Sequence, residues 1–210
     1  MFLILGLLKS SIIGLIPVIP MAALFHFIML KKDRKTNHKT PARHVIATYI
    51  FCFVLLVIFN VTSIPTIFSI EIDMTINLKL FDFIKTNYIQ YILNIILFIP
   101  LGFMLPLLWK KYRNAFKTII CGAAFSLFIE ITQMFSSRIT DINDLLMNTI
   151  GTIVGFIIFI IIRKSAPKIS IFSIESTKHW KSEPFFYFVI SFISMFFFYY
   201  VIARSSFFML

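Results

Sequence analysis

Residues 129–151 read IEITQMFSSRITDINDLLMNTIG and join two long apolar stretches through a short polar turn. Each apolar stretch is long enough to cross the roughly 30 Å hydrocarbon core of a bilayer as a helix. Glu130 and Gln133 lie inside the first stretch, and the turn adds an arginine and two aspartates. Because ionisable residues at membrane depth are costly, this segment predicts a helical membrane hairpin that also carries a functional site.

The composition of the whole chain extends this prediction. Hydrophobic residues make up 59% of the 210 residues and charged residues only 14%. These values are not typical of a soluble domain and predict an all-α, polytopic membrane helix bundle forming a single membrane domain over residues 1–210. Six transmembrane helices are predicted, at about 10–30, 45–64, 88–108, 116–136, 144–163 and 185–206.

The basic residues predict the orientation of the helices. The net charge is +11, and fifteen of the twenty lysines and arginines fall in the loops 31–44, 109–117 and 163–184. Basic residues concentrate in the cytoplasmic loops of membrane proteins, so we expect these loops inside and both termini outside. The positive charge therefore indicates topology, and no nucleic-acid partner is expected.

A loop with alternating residues lies between the second and third predicted helices. From Ile70 to Leu80, apolar and polar residues follow each other with a period of two. This period is typical of an extended segment with one apolar face, which could lie on the bundle or on the lipid headgroups. An irregular loop packed on the helix ends is the alternative.

Polar and small residues form stripes on the fourth and fifth predicted helices. Their spacings of three and four place them on one helical face. The fourth helix carries Gly122, Ser126, Glu130, Gln133 and Ser137, and the fifth carries Asp141, Asp144, Asn148, Gly151 and Gly155. Such stripes are expected to face each other and not lipid. Together with the third helix they predict an outward-opening, ligand-binding pocket formed by Asn94, Glu130, Gln133, Arg138, Asp141, Asp144 and Asn148.

The chemistry available to that pocket is narrow. The four histidines all fall at the predicted cytoplasmic side and neither cysteine is near, which argues against a zinc site, a thiol nucleophile or a catalytic triad. No metal site and no cofactor are predicted. Glu130 would suit a proton donor or carrier, Arg138 a clamp for phosphate or carboxylate, and Asp141 with Asp144 a contact for an ammonium group or a cation.

Structural interpretations of the same residues remain open. Arg138 would then pair with Asp141 or Asp144, and Gln133 and Asn148 would hold helices together through hydrogen bonds. Asp144 would cap the N-terminus of the fifth helix. Gly151 and Gly155 form a G-x-x-x-G motif that lets another helix approach closely.

The combined pattern of these residues resembles the VanZ-like family. The resemblance is carried by Asn94-x₅-Pro100-Leu101-Gly102-Phe103, by Glu130-x₂-Gln133, and by Arg138-x₂-Asp141-x₂-Asp144-x₃-Asn148-x₂-Gly151-x₃-Gly155. It covers about residues 43–163, a four-helix core flanked by one extra helix at each end. In the outer loop, Asn77 to Phe81 lack the proline that the family often has there.

The resemblance implies a multi-pass protein of the bacterial plasma membrane in a Gram-positive host. It implies reduced susceptibility to teicoplanin-type lipoglycopeptide antibiotics, with membrane lipids and the antibiotic or a lipid-linked envelope component as partners. The first hypothesis is that the pocket binds such an amphiphile. The second is an intramembrane enzyme for a lipid or lipid-linked wall precursor, with Glu130, Asp141 and Asp144 as catalytic residues, although no nucleophile stands out. A proton-coupled transporter or flippase is the third.

Overall fold

The computed structural model describes residues 2–36, 41–81, 84–136, 138–174, 182–199 and 201. These residues form six α-helices: α1 (Phe2–Thr36), α2 (Ala42–Val61), α3 (Ile84–Leu108), α4 (Ala115–Gln133), α5 (Ile142–Ser165) and α6 (Glu183–Ile193). A π-helical turn, Ser194–Phe198, continues α6, and 3₁₀ turns lie at Lys110–Arg113 and Pro167–Phe172. The only regular strands among the described residues are β1 (Ile76–Asn77) and β2 (Thr140–Asp141), of two residues each. The six helices therefore confirm the predicted all-α membrane bundle.

The described residues contain five helices that are long and apolar enough to cross a membrane. They are Ser10–Met29, Ala42–Val61, Tyr88–Leu108, Ala115–Gln133 and Ile142–Ser165. The sixth predicted helix, 185–206, corresponds to the shorter apolar helix Glu183–Phe198. Residues 200 and 202–206 of that prediction lie outside the described residues. The side on which the termini lie stays a prediction.

Several helices begin or end away from their predicted positions. The first helix was expected over 10–30, whereas α1 begins at Phe2 and continues through the basic residues to Thr36. Lysine and arginine are good helix formers, so α1 continues beyond its apolar residues into the basic ones. By contrast, α4 ends at Gln133, before the expected 136, because the carbonyls of Thr132 and Gln133 accept turn hydrogen bonds from Phe135 and Ser136.

The chain divides into two compact units. The first comprises Met1–Phe68 and Ile171–Leu210, and the second comprises Ser69–Ser170. The first unit therefore holds α1, α2 and α6, and the second holds α3, α4 and α5. The prediction of one membrane domain with a core over 43–163 stays a prediction.

A chain of buried polar side chains joins the helices of the first unit. Nε2 of His44 on α2 lies 3.2 Å from both carboxylate oxygens of Glu183 on α6. Both side chains are fully buried. The hydroxyl of Tyr187 donates to Glu183 at 3.0 Å and lies 2.7 Å from Nε2 of His26 on α1. Nδ1 of His44 donates to the carbonyl of Phe172 at 2.8 Å, so this imidazole is held on both sides.

Glycine allows the helices of the second unit to pack at very short range. A Cβ atom placed on Gly151 would lie 2.3 Å from the carbonyl oxygen of Ile95, and one on Gly155 would lie 2.1 Å from that of Ile99. The two contacts advance together along both chains, so α3 and α5 run in the same direction. The G-x-x-x-G motif therefore allows another helix to approach closely, as predicted, and that helix is α3.

Replacing Gly155 by alanine is expected to destabilise the protein. Its Cβ would lie 2.1 Å from the carbonyl oxygen of Ile99 and 2.8 Å from the N atom of Phe103, both backbone atoms that cannot rotate away. Overpacking of this kind costs about 1–3 kcal/mol, which thermal unfolding of the purified protein in detergent would detect as a lower midpoint.

The matched control is Gly6→Ala, because nothing lies within 4 Å of a Cβ atom there. Alanine in the helix interior at that position should stabilise α1 by about 0.5–1 kcal/mol or leave it unchanged. An unfolding midpoint of Gly155→Ala equal to that of Gly6→Ala would contradict the close packing of α3 and α5.

Candidate functional site

The end of α4 is tied to the start of α5 through Glu130. Its side chain is only 4% exposed, and its Oε2 accepts a hydrogen bond from the backbone N–H of Asp141 at 2.9 Å. The hydroxyl of Thr140 donates to the backbone carbonyl of Glu130 at 3.1 Å. The buried carboxylate of Glu130 thus accepts its hydrogen bond from the backbone of the turn that follows α4.

Asp141, and not Asp144, caps the N-terminus of α5. Oδ1 of Asp141 accepts from the backbone N–H and the side-chain amide of Asn143, each at 2.8 Å. Oδ2 accepts from the amide of Asn77 in β1 at 3.3 Å. The proposed capping role of Asp144 is therefore wrong, because α5 begins at Ile142 and Asp144 lies inside its first turn.

Asp144 instead connects α5 to α3. The side-chain amide of Asn94 donates to its Oδ1 at 2.7 Å. Gln90, one turn before Asn94, approaches both carboxylate oxygens at 3.4 Å. The structure thus brings Asn94 and Asp144 together, and it adds a glutamine that the sequence analysis did not single out.

Asn148 lies one turn further along α5 and contacts α4. Its side-chain amide donates to Oγ of Ser126 at 2.9 Å, and both side chains are buried. Ser126 in turn precedes Glu130 by one turn of α4. The polar stripes of α4 and α5 therefore face each other over at least two turns.

Two predicted residues, Gln133 and Arg138, differ in their exposure. Gln133 is buried, with an exposed fraction of 3%, whereas Arg138 in the turn is exposed. The positive charge of Arg138 acts on the carboxylates of both Glu130 and Asp144. Arg138 thus stands at the solvent side of the carboxylates. The outward-opening pocket itself stays a prediction.

We use the term polar site for Asn94, Glu130, Gln133, Arg138, Asp141, Asp144 and Asn148.

The alternating segment 70–80 runs beside the turn between α4 and α5. The backbone N–H groups of Glu71 and Asp73 donate to the carbonyls of Phe135 and Met134 at 3.2 and 3.0 Å. Further on, β1 pairs with β2 in parallel, with Ile76 opposite Thr140 and Asn77 opposite Asp141. The segment is thus extended, as one of the two interpretations predicted, although only β1 is a regular strand.

The end of this segment is held by Asn143. Its side-chain amide donates to the carbonyl of Lys79 at 2.9 Å, and its Oδ1 accepts the backbone N–H of Phe81 at 2.9 Å. Near the segment's start, the hydroxyl and the backbone N–H of Thr75 donate to Asp73 and hold the pKa of that carboxyl below its usual value. The fully buried Asn143 was missed as a site residue. Its place two residues after a capping aspartate is the signal that could have found it.

The donors and acceptors of the polar site define its chemistry. The hydrogen bonds shown to Glu130, Asp141 and Asp144 come from a backbone N–H and from the amides of asparagine and glutamine. Carboxylate oxygens accept hydrogen bonds from ammonium or hydroxyl groups, and a guanidinium group donates to phosphate or carboxylate. Within the described residues, no group of three or more His, Cys, Asp and Glu residues is arranged to hold a metal ion.

The histidines take no part in this arrangement where the structure describes them. His26 and His44 belong to the buried chain of the first unit, and His38 and His179 lie outside the described residues. The partner of His44, Glu183, was missed by the sequence analysis because the two residues are 139 positions apart.

Comparison with known proteins identifies the family. The model of the VanZ/LLP1 family matches residues 18–163. The chain belongs to this family. The match begins within α1, earlier than the resemblance over 43–163 suggested, and it includes every residue of the polar site but not α6.

A curated relative of this VanZ/LLP1 chain supports the same assignment. The chain is 31% identical to Protein VanZ of Enterococcus faecium over 123 residues, which cover 56% of this chain and 72% of the relative. No solved structure matches the chain significantly. Together with its apolar helices, the family assignment makes this a multi-pass bacterial membrane protein.

Replacing Asp141 by alanine is expected to destabilise α5. The change removes the N-cap acceptor and the partner of Asn77, and loss of an N-cap typically costs about 1 kcal/mol. Thermal unfolding in detergent should show a lower midpoint for Asp141→Ala than for Asp141→Asn, which keeps an oxygen that can accept from the backbone. Equal midpoints for the two variants would show that Asp141 does not cap the helix.

Proposed function

We propose that this VanZ/LLP1 chain lowers the susceptibility of its host to teicoplanin-type lipoglycopeptides. The observation that carries the proposal is the buried carboxylate of Glu130, which accepts a hydrogen bond at 2.9 Å from the backbone N–H of Asp141, the last residue of the α4–α5 connection and the cap of α5. Burying an ionisable side chain within a membrane span costs free energy, and such residues are usually kept for a function. Membership of the VanZ/LLP1 family supports the link to this class of antibiotic.

The ligand in this proposal is an amphiphile that reaches the polar site from the outer leaflet. It is either the antibiotic with its lipid tail or the headgroup of an envelope lipid. Glu130, Asp141 and Asp144 would accept hydrogen bonds from its ammonium or hydroxyl groups, and Arg138 would bind a phosphate or carboxylate. The hydrogen bonds that the three carboxylates accept from Asn77, Asn94 and the backbone of Asp141 come from neutral groups, which supports this assignment.

Substitution of the three acids should reduce protection against teicoplanin. We expect Glu130→Gln, Asp141→Asn and Asp144→Asn each to raise susceptibility towards that of cells without the protein. Loss of a hydrogen bond to a charged group weakens binding by about tenfold or more. The measurement is the inhibitory concentration of teicoplanin in a susceptible Gram-positive host, at expression levels matched by immunoblot.

The matched control for these variants is Glu71→Gln. Glu71 is an exposed acid whose backbone N–H donates to the carbonyl of Phe135, a contact that the substitution keeps. It should protect as the wild type does. Full protection by all three acid variants would show that the polar site is not the working part of the protein.

An intramembrane enzyme is the second candidate function. It is favoured by the burial of Glu130 beside the charge of Arg138, an arrangement that suits proton transfer next to an anionic lipid group. Lipid mass spectrometry of cells with wild-type protein and with Glu130→Gln separates the two candidates. A lipid product that disappears in the variant supports the enzyme, and identical lipid profiles with altered teicoplanin susceptibility support binding.

A further inference from the structure

The segment 70–80 leaves all of its apolar side chains exposed, whereas two of its polar side chains, Asp73 and Asn77, turn towards the protein. Ile72, Met74 and Leu78 are 71%, 70% and 70% exposed, whereas Asp73 and Asn77 are half-buried. A strand at the surface of a soluble protein shows the opposite pattern. We use the term apolar edge for the outward-facing residues Ile70, Ile72, Met74, Ile76, Leu78 and Leu80.

The hydrogen bonds of the segment fix this orientation. The backbone N–H of Asp73 is bonded to the carbonyl of Met134, and the amide of Asn77 is bonded to Asp141. Because side chains alternate along an extended chain, a shift by one residue would bring Asp73 and Asn77 outward and break both contacts. The apolar edge therefore cannot turn into the protein without dismantling the pairing of β1 with β2.

The position of the segment places the apolar edge at the membrane surface. It follows the span Ala42–Val61 in the chain and leads into the span Tyr88–Leu108. It pairs with Thr140 and Asp141, which lie between the spans formed by α4 and α5. Within the second unit, the segment thus lies beside the turn that joins α4 to α5, at the opposite end of α4 from the basic turn Lys110–Arg113.

Exposed apolar side chains also lie on the helix that follows the segment. On α3, the exposed residues include Ile89, Ile92, Leu93 and Ile96, which lie within a helix long and apolar enough to span a membrane. Phe135 beyond the end of α4, whose carbonyl holds Glu71, is exposed as well. The outward-facing residues of segment 70–80 add a further row of aliphatic side chains beyond these helix ends.

We propose that the apolar edge is a membrane anchor that inserts among the acyl chains of the outer leaflet. Each large aliphatic side chain gains about 1.5–3 kcal/mol when it is fully removed from water, and the edge offers six of them. The polar residues between them remain above the acyl chains or contact the protein. This proposal does not depend on what the polar site binds.

The test uses spin labels on single cysteines in the full-length protein. The native cysteines, Cys52 and Cys121, are buried or half-buried and are replaced by alanine. Labels are placed singly at Ile72, Met74 and Leu78, and at the alternate positions Glu71, Thr75 and Lys79. The protein is reconstituted into vesicles of phosphatidylglycerol and phosphatidylethanolamine. Collision of each label with oxygen, which concentrates in lipid, and with a water-soluble nickel chelate is then measured.

A label at Ile92 on α3 gives the reference value for lipid contact. We expect the oxygen-to-nickel ratio at Ile72, Met74 and Leu78 to shift towards the Ile92 value. The ratio at Glu71, Thr75 and Lys79 should shift towards that of a water-exposed label. The resulting alternation with a period of two identifies an inserted edge. Thermal unfolding of each labelled protein confirms that the fold is kept.

Two results would overturn the proposal. Equal access of the nickel chelate to both sets of positions would place the segment in water. Exclusion of both oxygen and nickel at Ile72, Met74 and Leu78 would show that protein covers the edge, either a second copy of this chain or another partner, and not lipid.

Discussion

The hydrogen bond from the backbone N–H of Asp141 to the carboxylate of Glu130 joins the last turn of α4 to the residue that caps α5 and pairs with β1. A carboxylate inside a membrane bundle needs donors, because no water is present to supply them. Here the donor belongs to the residue that caps the next helix and pairs with β1. The end of α4, the start of α5 and the segment 70–80 thus meet at this bond.

The second constraint is the close approach of α3 and α5. The glycines of α5 meet backbone carbonyls of α3, a contact that excludes any side chain between them. Because the helices run in the same direction, the turn of α3 that holds Asn94 lies beside the first turn of α5, where Asp144 accepts its amide. The glycine contacts and the hydrogen bond between Asn94 and Asp144 therefore belong to the same interface between α3 and α5.

Much of this architecture could be predicted from the sequence. Long apolar runs predicted the helices, and spacings of three and four predicted that Ser126 and Glu130 on α4 face Asn148 and Asp141 at α5. The exact helix ends could not be predicted, because they depend on which backbone groups find partners. This is why the cap of α5 was assigned to Asp144 when the chain in fact leaves its extended conformation after Asp141. The role of Gln90 was missed because it depends on how α3 is rotated against α5.

Contacts between distant segments were harder still to foresee. Glu183 lies in an aromatic helix whose composition suggests only packing, and nothing near it in sequence marks it as the partner of a histidine at the start of α2. Period-two alternation indicated that segment 70–80 is extended, but not that Asn77 in this segment would contact Asp141 at the end of the α4–α5 turn. Local patterns predict local conformation, and long-range pairs leave no comparable pattern.

The pair of His44 and Glu183 has a consequence for the biosynthesis of the protein. The second unit is continuous in sequence, so its helices can pack as soon as the ribosome has delivered α5. The first unit is split, so His44 meets its carboxylate partner only after α6, which follows the second unit in the chain, has been made. α6 is thus the element whose arrival completes the buried contacts of α1 and α2.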